Sequence, residues 1–180
     1  MKHILWLCCF LAACTTAPLG ARINPYLDVE RSQIGAGRHV SVAVIDARAD
    51  RSLGEGPVEG FSGDAVAALR DALAEGLRRQ GYDVTVQDGM SGITLTLLEL
   101  KYRIEPESLV QTRLAATAVV KATVRHRGGS YENTYRAAQE ERDPLSPSAN
   151  DVERMLNGTL SDILARILRN DEVRAALARQ

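Results

Sequence analysis

The chain has 180 residues, of which 45% are hydrophobic and 25% are charged, so it can bury an ordinary core and is not typical of a disordered protein. Its 22 basic and 23 acidic residues give a formal net charge of -1, and this balance offers no electrostatic reason to expect binding to nucleic acid. Aromatic residues make up only 4%, which argues against stacking platforms for bases or sugars.

Residues 1–13 have the pattern of a bacterial secretion signal. A short positive start, Met1–His3, is followed by the apolar run 4–11 and then by small residues. The run is far shorter than the roughly 20 residues that a membrane-crossing helix needs. We therefore expect the segment to be cleaved rather than to remain as a membrane span.

Cys14 is the predicted site of lipid attachment. The sequence Leu11–Cys14 resembles the bacterial lipobox, in which small residues precede a cysteine that receives diacylglycerol after cleavage. Thr15 stands where an aspartate signals retention at the inner membrane, so the resemblance implies the outer membrane, with the protein facing the periplasm. The alternative is a cytosolic or ordinarily secreted protein with an incidental Cys14, which the unusual Cys8 and Cys9 in the apolar run leave open.

Residues 14–37 are predicted to form the lipidated N-terminus and a tether, and residues 38–180 a single periplasmic domain. The tether is rich in small residues, proline and glycine. After Cys14 the chain contains no further cysteine, so no disulfide can form within the mature protein if Cys14 is acylated.

The first half of the domain combines strands with one clear helix. Alternating apolar residues predict a strand over 39–47, and glycine and proline predict a loop over 48–61. Ser62 is the predicted cap of a helix that runs to Gln80, where Gly81 supplies the left-handed stop. Alternation then resumes at Tyr82, Val84 and Val86.

The next strands are predicted to form an antiparallel meander. A strand begins near Ile93 and closes at Pro106, and its apolar phase changes at Leu97–Leu98, which predicts a bulge. A strand over 114–124 follows, and a hairpin loop over 126–130 leads into the next one.

Helices end the chain. Asn150 with Glu153 is the predicted capping box of a long amphipathic helix ending near Ile167, and Asp171 the predicted cap of a short helix to Leu177. The predicted fold is α+β, a mostly antiparallel sheet of four to five strands with two main helices packed on one face and a short C-terminal helix.

Several segments resemble a known family. Val42–Arg48, Leu69–Leu73, Gln80–Val84, Leu97–Leu100 and the final helix are similar to the YajG-type lipoproteins of proteobacteria, over roughly residues 38–178. The resemblance implies a lipid-anchored periplasmic domain of uncharacterised role. It carries over no catalytic residue and no cofactor.

No catalytic or metal-binding constellation is predicted. His39 and His126 are far apart in sequence and lack the spacing of metal ligands, and Ser62 fits a helix cap better than a nucleophile. Asp46 and Arg48 end the first strand with side chains on one face, where they could pair. The favoured interpretation is an ion pair that fixes the following loop, and the alternative is a recognition point at the strand edge.

Anchoring without catalytic groups predicts a non-enzymatic accessory or binding lipoprotein without a cofactor. Its predicted partners are the membrane, through Cys14, and another envelope protein, and no nucleic acid is expected. An alternative is an auxiliary subunit of a lipid or lipopolysaccharide transport system. A cell-wall hydrolase would need paired carboxylates such as Glu105 with Glu107 or Glu140 with Glu141, which the sequence places in strand-end loops as solvated charge.

Overall fold

The computed structural model describes residues 22–55, 64–86, 92–143 and 147–179. The predicted signal peptide, 1–13, and Cys14 lie outside these residues. The elements in chain order are β1 (His39–Asp46), β2 (Gly54–Glu55), α1 (Ala65–Arg79), β3 (Asp83–Val86), β4 (Gly92–Ser108), β5 (Gln111–His126), β6 (Gly129–Asp143), α2 (Ala149–Arg169) and α3 (Asp171–Leu177).

The strands form one mixed sheet in the order β3-β1-β4-β5-β6. β1 runs parallel to both β3 and β4, while β4, β5 and β6 form the predicted antiparallel meander. The two-residue β2 pairs with β4 further along, and it falls within the stretch predicted as loop. The helices pack on one face of this sheet, so the predicted α+β class is confirmed.

β4 contains the predicted bulge. Its register with β5 shifts between Leu97 and Glu99, so Leu97 and Leu100 both point into the core although they are an odd number of residues apart. The strand continues past Pro106 to Ser108, which pairs with Gln111, and the hairpin between β5 and β6 is tighter than predicted because the strands extend to His126 and Gly129.

The core lies between the sheet and the helices. The apolar stripes predicted for α1 and α2 face the sheet and are fully buried along their centres. The largest fully buried side chains are Leu69, Leu73, Leu77, Ile93, Leu95, Leu97, Leu100, Leu114, Leu156, Leu160, Ile163 and Leu164. No helix among the described residues is long and apolar enough to cross a membrane.

The helix caps differ from those predicted. Asp64 caps α1 by accepting a hydrogen bond from the Val66 amide, and the predicted Ser62 lies outside the described residues. α2 has a capping box, but it joins Ser148 to Asp151, so the predicted pair of Asn150 and Glu153 was wrong. Asn150 and Glu153 both lie inside the helix. A capping side chain must instead come from the residue just before the first turn, where it can accept from the free amides of that turn.

The cap of α3 lies one residue before the predicted position. Asn170 accepts hydrogen bonds from the amides of Glu172 and Val173, and the predicted cap Asp171 is the first residue of the helix. At the end of α1, Gly81 has a φ of 88°, so the predicted left-handed stop is confirmed.

Residues 22–37, which the sequence assigns to the tether, pack against the helices. The side chains of Ile23 and Leu27 are buried in the core. The amides of Ser32 and Gly35 donate to the carbonyls of Arg79 and Gln80 at 2.9 and 2.8 Å. The predicted domain start at residue 38 therefore differs from the structure, in which Arg22 is already held against the domain.

Candidate functional site: the groove beside β4

The end of β1 is stabilised by the predicted pair of Asp46 and Arg48. Arg48 donates from Nε to Oδ1 and from Nη2 to Oδ2 of Asp46, both at 2.9 Å, in a bidentate arrangement. The side chain of Asp46 is only 17% exposed and that of Arg48 only 8%. Arg51 adds a weaker contact, with its Nε 3.7 Å from Asp46 Oδ2.

This pairing changes the electrostatics of the corner. Hydrogen bonding to the Arg48 side chain lowers the pKa of Asp46 from 3.8 to about 2, against the opposing effect of burial. The two charges largely cancel. One donor is left over, because Nη1 of Arg48 is buried and has no hydrogen-bond partner in the part of the chain that the structure describes.

A groove of about 660 Å³ opens next to this corner. Its floor is the stretch of β4 between Leu97, where pairing with β1 ends, and Tyr102, where pairing with β2 begins. Its outer wall is the segment that follows Arg48, which includes Asp50 and Ser52. The Ser52 hydroxyl donates to Asp50 at 2.7 Å, so this wall is held by its own side chains.

Charged side chains of opposite sign alternate along the groove. Lys101 Nζ lies 2.6 Å from Glu99 Oε1, and Arg103 Nη1 lies 3.2 Å from Glu105 Oε1. Glu105 is also paired with Arg113 on β5, which is the main reason why its pKa is lowered. Glu105 is thereby held as a carboxylate and is poorly suited to act as a general acid near neutral pH.

The ion pairs continue across the sheet face that carries no helix. Arg142 Nε lies 3.0 Å from Glu107 Oε2, and its Nη2 lies 3.5 Å from Glu140 Oε1. On the helix side, Arg154 Nη1 contacts Glu141 Oε2 at 2.9 Å. The prediction that Glu105, Glu107, Glu140 and Glu141 lie in strand-end loops was wrong: the first two belong to β4 and the last two to β6.

The histidines serve local structure at separate places. His39 Nδ1 lies 3.2 Å from Asp83 Oδ2, and its Nε2 lies 3.2 Å from the Thr85 hydroxyl. The hydroxyl, imidazole and carboxylate thus lie in line, as in a nucleophile with its base, and all three side chains are partly or largely exposed on the sheet face that carries no helix. His126 Nδ1 accepts from the Gly128 amide in the β5–β6 turn.

The described residues contain no group of three or more metal-ligating side chains.

The contacts that hold the N-terminal segment were not predicted from the sequence. Asn157 donates from Nδ2 to the Arg22 carbonyl at 2.9 Å and accepts from the Asn24 amide at 2.8 Å. Glu153 accepts from the Arg22 amide at 2.8 Å. No local pattern in the sequence around Asn157 indicates these contacts.

The fold and these contacts define an α+β domain, and comparison with known proteins gives the family. A family model described as an uncharacterized lipoprotein matches residues 25–178. The chain therefore belongs to this family of uncharacterised lipoproteins, and the resemblance found in the sequence is confirmed. No curated protein matches the chain.

A solved structure supports the fold. Protein XCC0632 from Xanthomonas campestris is 12% identical with a TM-score of 0.59, and the match covers 86% of this chain and 95% of that one. A minor lipoprotein from Acinetobacter baumannii is 16% identical with a TM-score of 0.41, and the match covers 77% and 91% of the two chains. At such low identity the likeness to XCC0632 establishes the fold alone.

Proposed function

We propose that this protein is a lipid-anchored, non-enzymatic accessory or binding lipoprotein that faces the periplasm from the inner leaflet of the outer membrane. The observation that carries the proposal is the combination of a lipobox ending at Cys14 with a domain that belongs to a lipoprotein family. Several acyl chains on one cysteine would hold the domain at the bilayer, whereas a single chain binds only marginally.

The non-enzymatic part of the proposal is supported by the ion pairs that the carboxylates form. Hydrolysis by paired carboxyl groups needs one of them protonated near neutral pH. In the groove and on the open sheet face, Glu99, Glu105, Glu107 and Glu140 all lie within ion-pair distance of lysine or arginine. These glutamates are therefore arranged as fixed, neutralised charge.

The groove beside β4 is the binding surface that we propose for a partner in the envelope. It combines paired charges with the apolar side chains of Leu98 and Ile104, and Leu98 remains 39% exposed. Nη1 of Arg48, which is buried and has no hydrogen-bond partner among the described residues, lies at the adjacent corner. A partner that binds there would be recognised by polar groups and would not need strong net charge.

The anchor is tested by mass spectrometry of the N-terminal peptide from the native host. Acylated Cys14 at the first position is the expected result, and Cys14→Ser should abolish the acylated peptide and leave residues 1–13 attached. Separation of inner and outer membranes on a density gradient tests the location. A bare thiol with residues 1–13 still attached would refute the proposal.

The binding role is tested by crosslinking in intact cells. A photoreactive residue in place of Leu98 should give a discrete crosslinked product, and the same residue in place of Asp71, an exposed position of α1, should not. Identical patterns at both positions would show that the groove is not the binding surface. Release of soluble fragments when the purified protein is incubated with peptidoglycan would refute the non-enzymatic assignment.

A further inference from the structure

The turn between β4 and β5 exposes two large apolar side chains. Leu109 and Val110 are 105% and 75% exposed, while the residues on either side of them, Ser108 and Gln111, pair as the last rung of the ladder. Two-residue hairpin turns usually contain glycine, asparagine or aspartate. Leucine and a β-branched valine are therefore not explained by the needs of the turn.

The turn lies at the same end of the domain as the start of the described chain. Arg22 is bound to Glu153 in the first half of α2. The neighbouring Arg154 contacts Glu141, and Glu141 is the partner of Leu114 in the β5–β6 register. Leu114 is four residues from Val110, so along β5 the turn extends roughly 14 Å beyond the rung that contacts α2 next to the Arg22 site.

The length of the chain before Arg22 allows both features to reach one surface. The chain from Cys14 to Arg22 spans at most about 27 Å when fully extended. A bilayer that holds Cys14 would therefore be within reach of the turn. The charged residues immediately behind the turn are paired with one another, with Glu107 3.5 Å from Arg113 Nε and 3.0 Å from Arg142 Nε.

We propose that Leu109 and Val110 insert into the same bilayer as the lipid anchor and form a second membrane contact that orients the domain. The inference rests on the proposed anchoring at Cys14. Two apolar side chains bind a membrane weakly by themselves, but an anchored domain presents them at a high effective concentration, which makes insertion favourable. The ion pairs of Glu107 with Arg113 and Arg142 would then lie at the level of the lipid headgroups.

A reporter tryptophan tests this contact. The only native tryptophan, Trp6, lies in the predicted signal peptide, so the mature protein has no tryptophan fluorescence of its own. The acylated Leu109→Trp variant is reconstituted into vesicles of phosphatidylethanolamine and phosphatidylglycerol. We expect its emission to shift to the blue and to be quenched at least threefold by brominated acyl chains. Adding Val110→Asp should remove most of that quenching.

Ile45→Trp is the matched control, because Ile45 is 52% exposed on β1 and pairs with Thr96, roughly 40 Å along β4 from the turn. Equal quenching at positions 45 and 109, or none at 109 in protein that floats with the vesicles, would overturn the inference. A blue shift at 109 without vesicles would overturn it too, because it would mean that protein covers the turn. Mass spectrometry of the same sample separates these results from failure of the anchor, which would overturn both proposals.

Discussion

Asn157 and Arg22 join the start of the described chain to helix α2, although they are 135 residues apart in sequence. One amide side chain donates to the Arg22 carbonyl and accepts from the Asn24 amide, as a neighbouring strand would. Because residues 22–37 then cross the helices, this contact decides how the N-terminal segment enters the fold.

Replacing Asn157 with alanine should loosen that segment. Two hydrogen bonds are lost, and we expect a decrease of about 1–3 kcal/mol in the free energy of unfolding, with faster proteolysis between residues 22 and 37. Asn150→Ala is the control, since it makes the same change on an exposed position of α2. Equal stability and equal cleavage of the two variants would contradict this role.

The Asp46–Arg48 pair should make stability depend on pH in the acid range. The pKa of Asp46 is lowered to about 2 in the folded protein, against 3.8 ordinarily, so the stabilisation is present above pH 4 and is lost as the pH falls toward 2. Asp46→Asn should therefore be less stable than the wild type at pH 7 by on the order of 2 kcal/mol. Unfolding by urea at several pH values should show this difference shrinking between pH 4 and 2.

Arg48→Ala separates the two interpretations of the same pair. Loss of the guanidinium should lower the melting temperature, because the partly buried Asp46 loses its partner. If the pair only fixes the loop, crosslinking of the groove to its partner persists in the folded variant. Loss of the crosslink below the melting temperature would support recognition by Arg48 itself.

The glycines of the two long helices should respond in opposite ways to alanine. A Cβ on Gly76 would lie 2.5 Å from Leu168 Cδ1 and 3.0 Å from Leu27 Cδ1, so Gly76→Ala should destabilise by about 1–3 kcal/mol. A Cβ on Gly158 would meet only the end of the exposed Gln139 side chain. Gly158→Ala should then gain up to about 1 kcal/mol from helix propensity, and thermal denaturation of both variants checks the signs.

Tyr82 carries a buried hydroxyl that has no hydrogen-bond partner among the described residues. Tyr82→Phe removes a desolvated polar group and keeps the ring, so we expect the variant to be as stable as the wild type or more stable by up to about 1 kcal/mol. Urea unfolding measures the difference. A clear loss of stability would mean that the hydroxyl is bonded, for example to a buried water.

Local patterns in the sequence predicted the features that depend on neighbouring residues. The phase change at Leu97–Leu98 located the bulge of β4, and Gly81 located the end of α1. The cap of α2 was misplaced because several residues near its start can cap a helix. Only the backbone angles show that Ser148 is the last residue before the helix and therefore the cap.

Contacts between distant parts of the chain were not predictable in the same way. Ile23 and Leu27 lie in a short segment around Pro25. A few apolar residues there do not show whether the segment is a free tether or packs against the domain. The parallel pairing of β1 with β4 likewise depends on which strands meet, and a strand's own residues do not specify its neighbours. The groove beside β4 could not be foreseen, since it arises where β1 ends before β2 begins.

The route of residues 22–37 has a mechanical consequence. Because this segment is bound to α2 at Arg22 and to the end of α1 at Ser32 before it enters the sheet, tension applied through the first residues is borne by the helix layer. The central strands are shielded from that load until the bonds of Glu153 and Asn157 have broken.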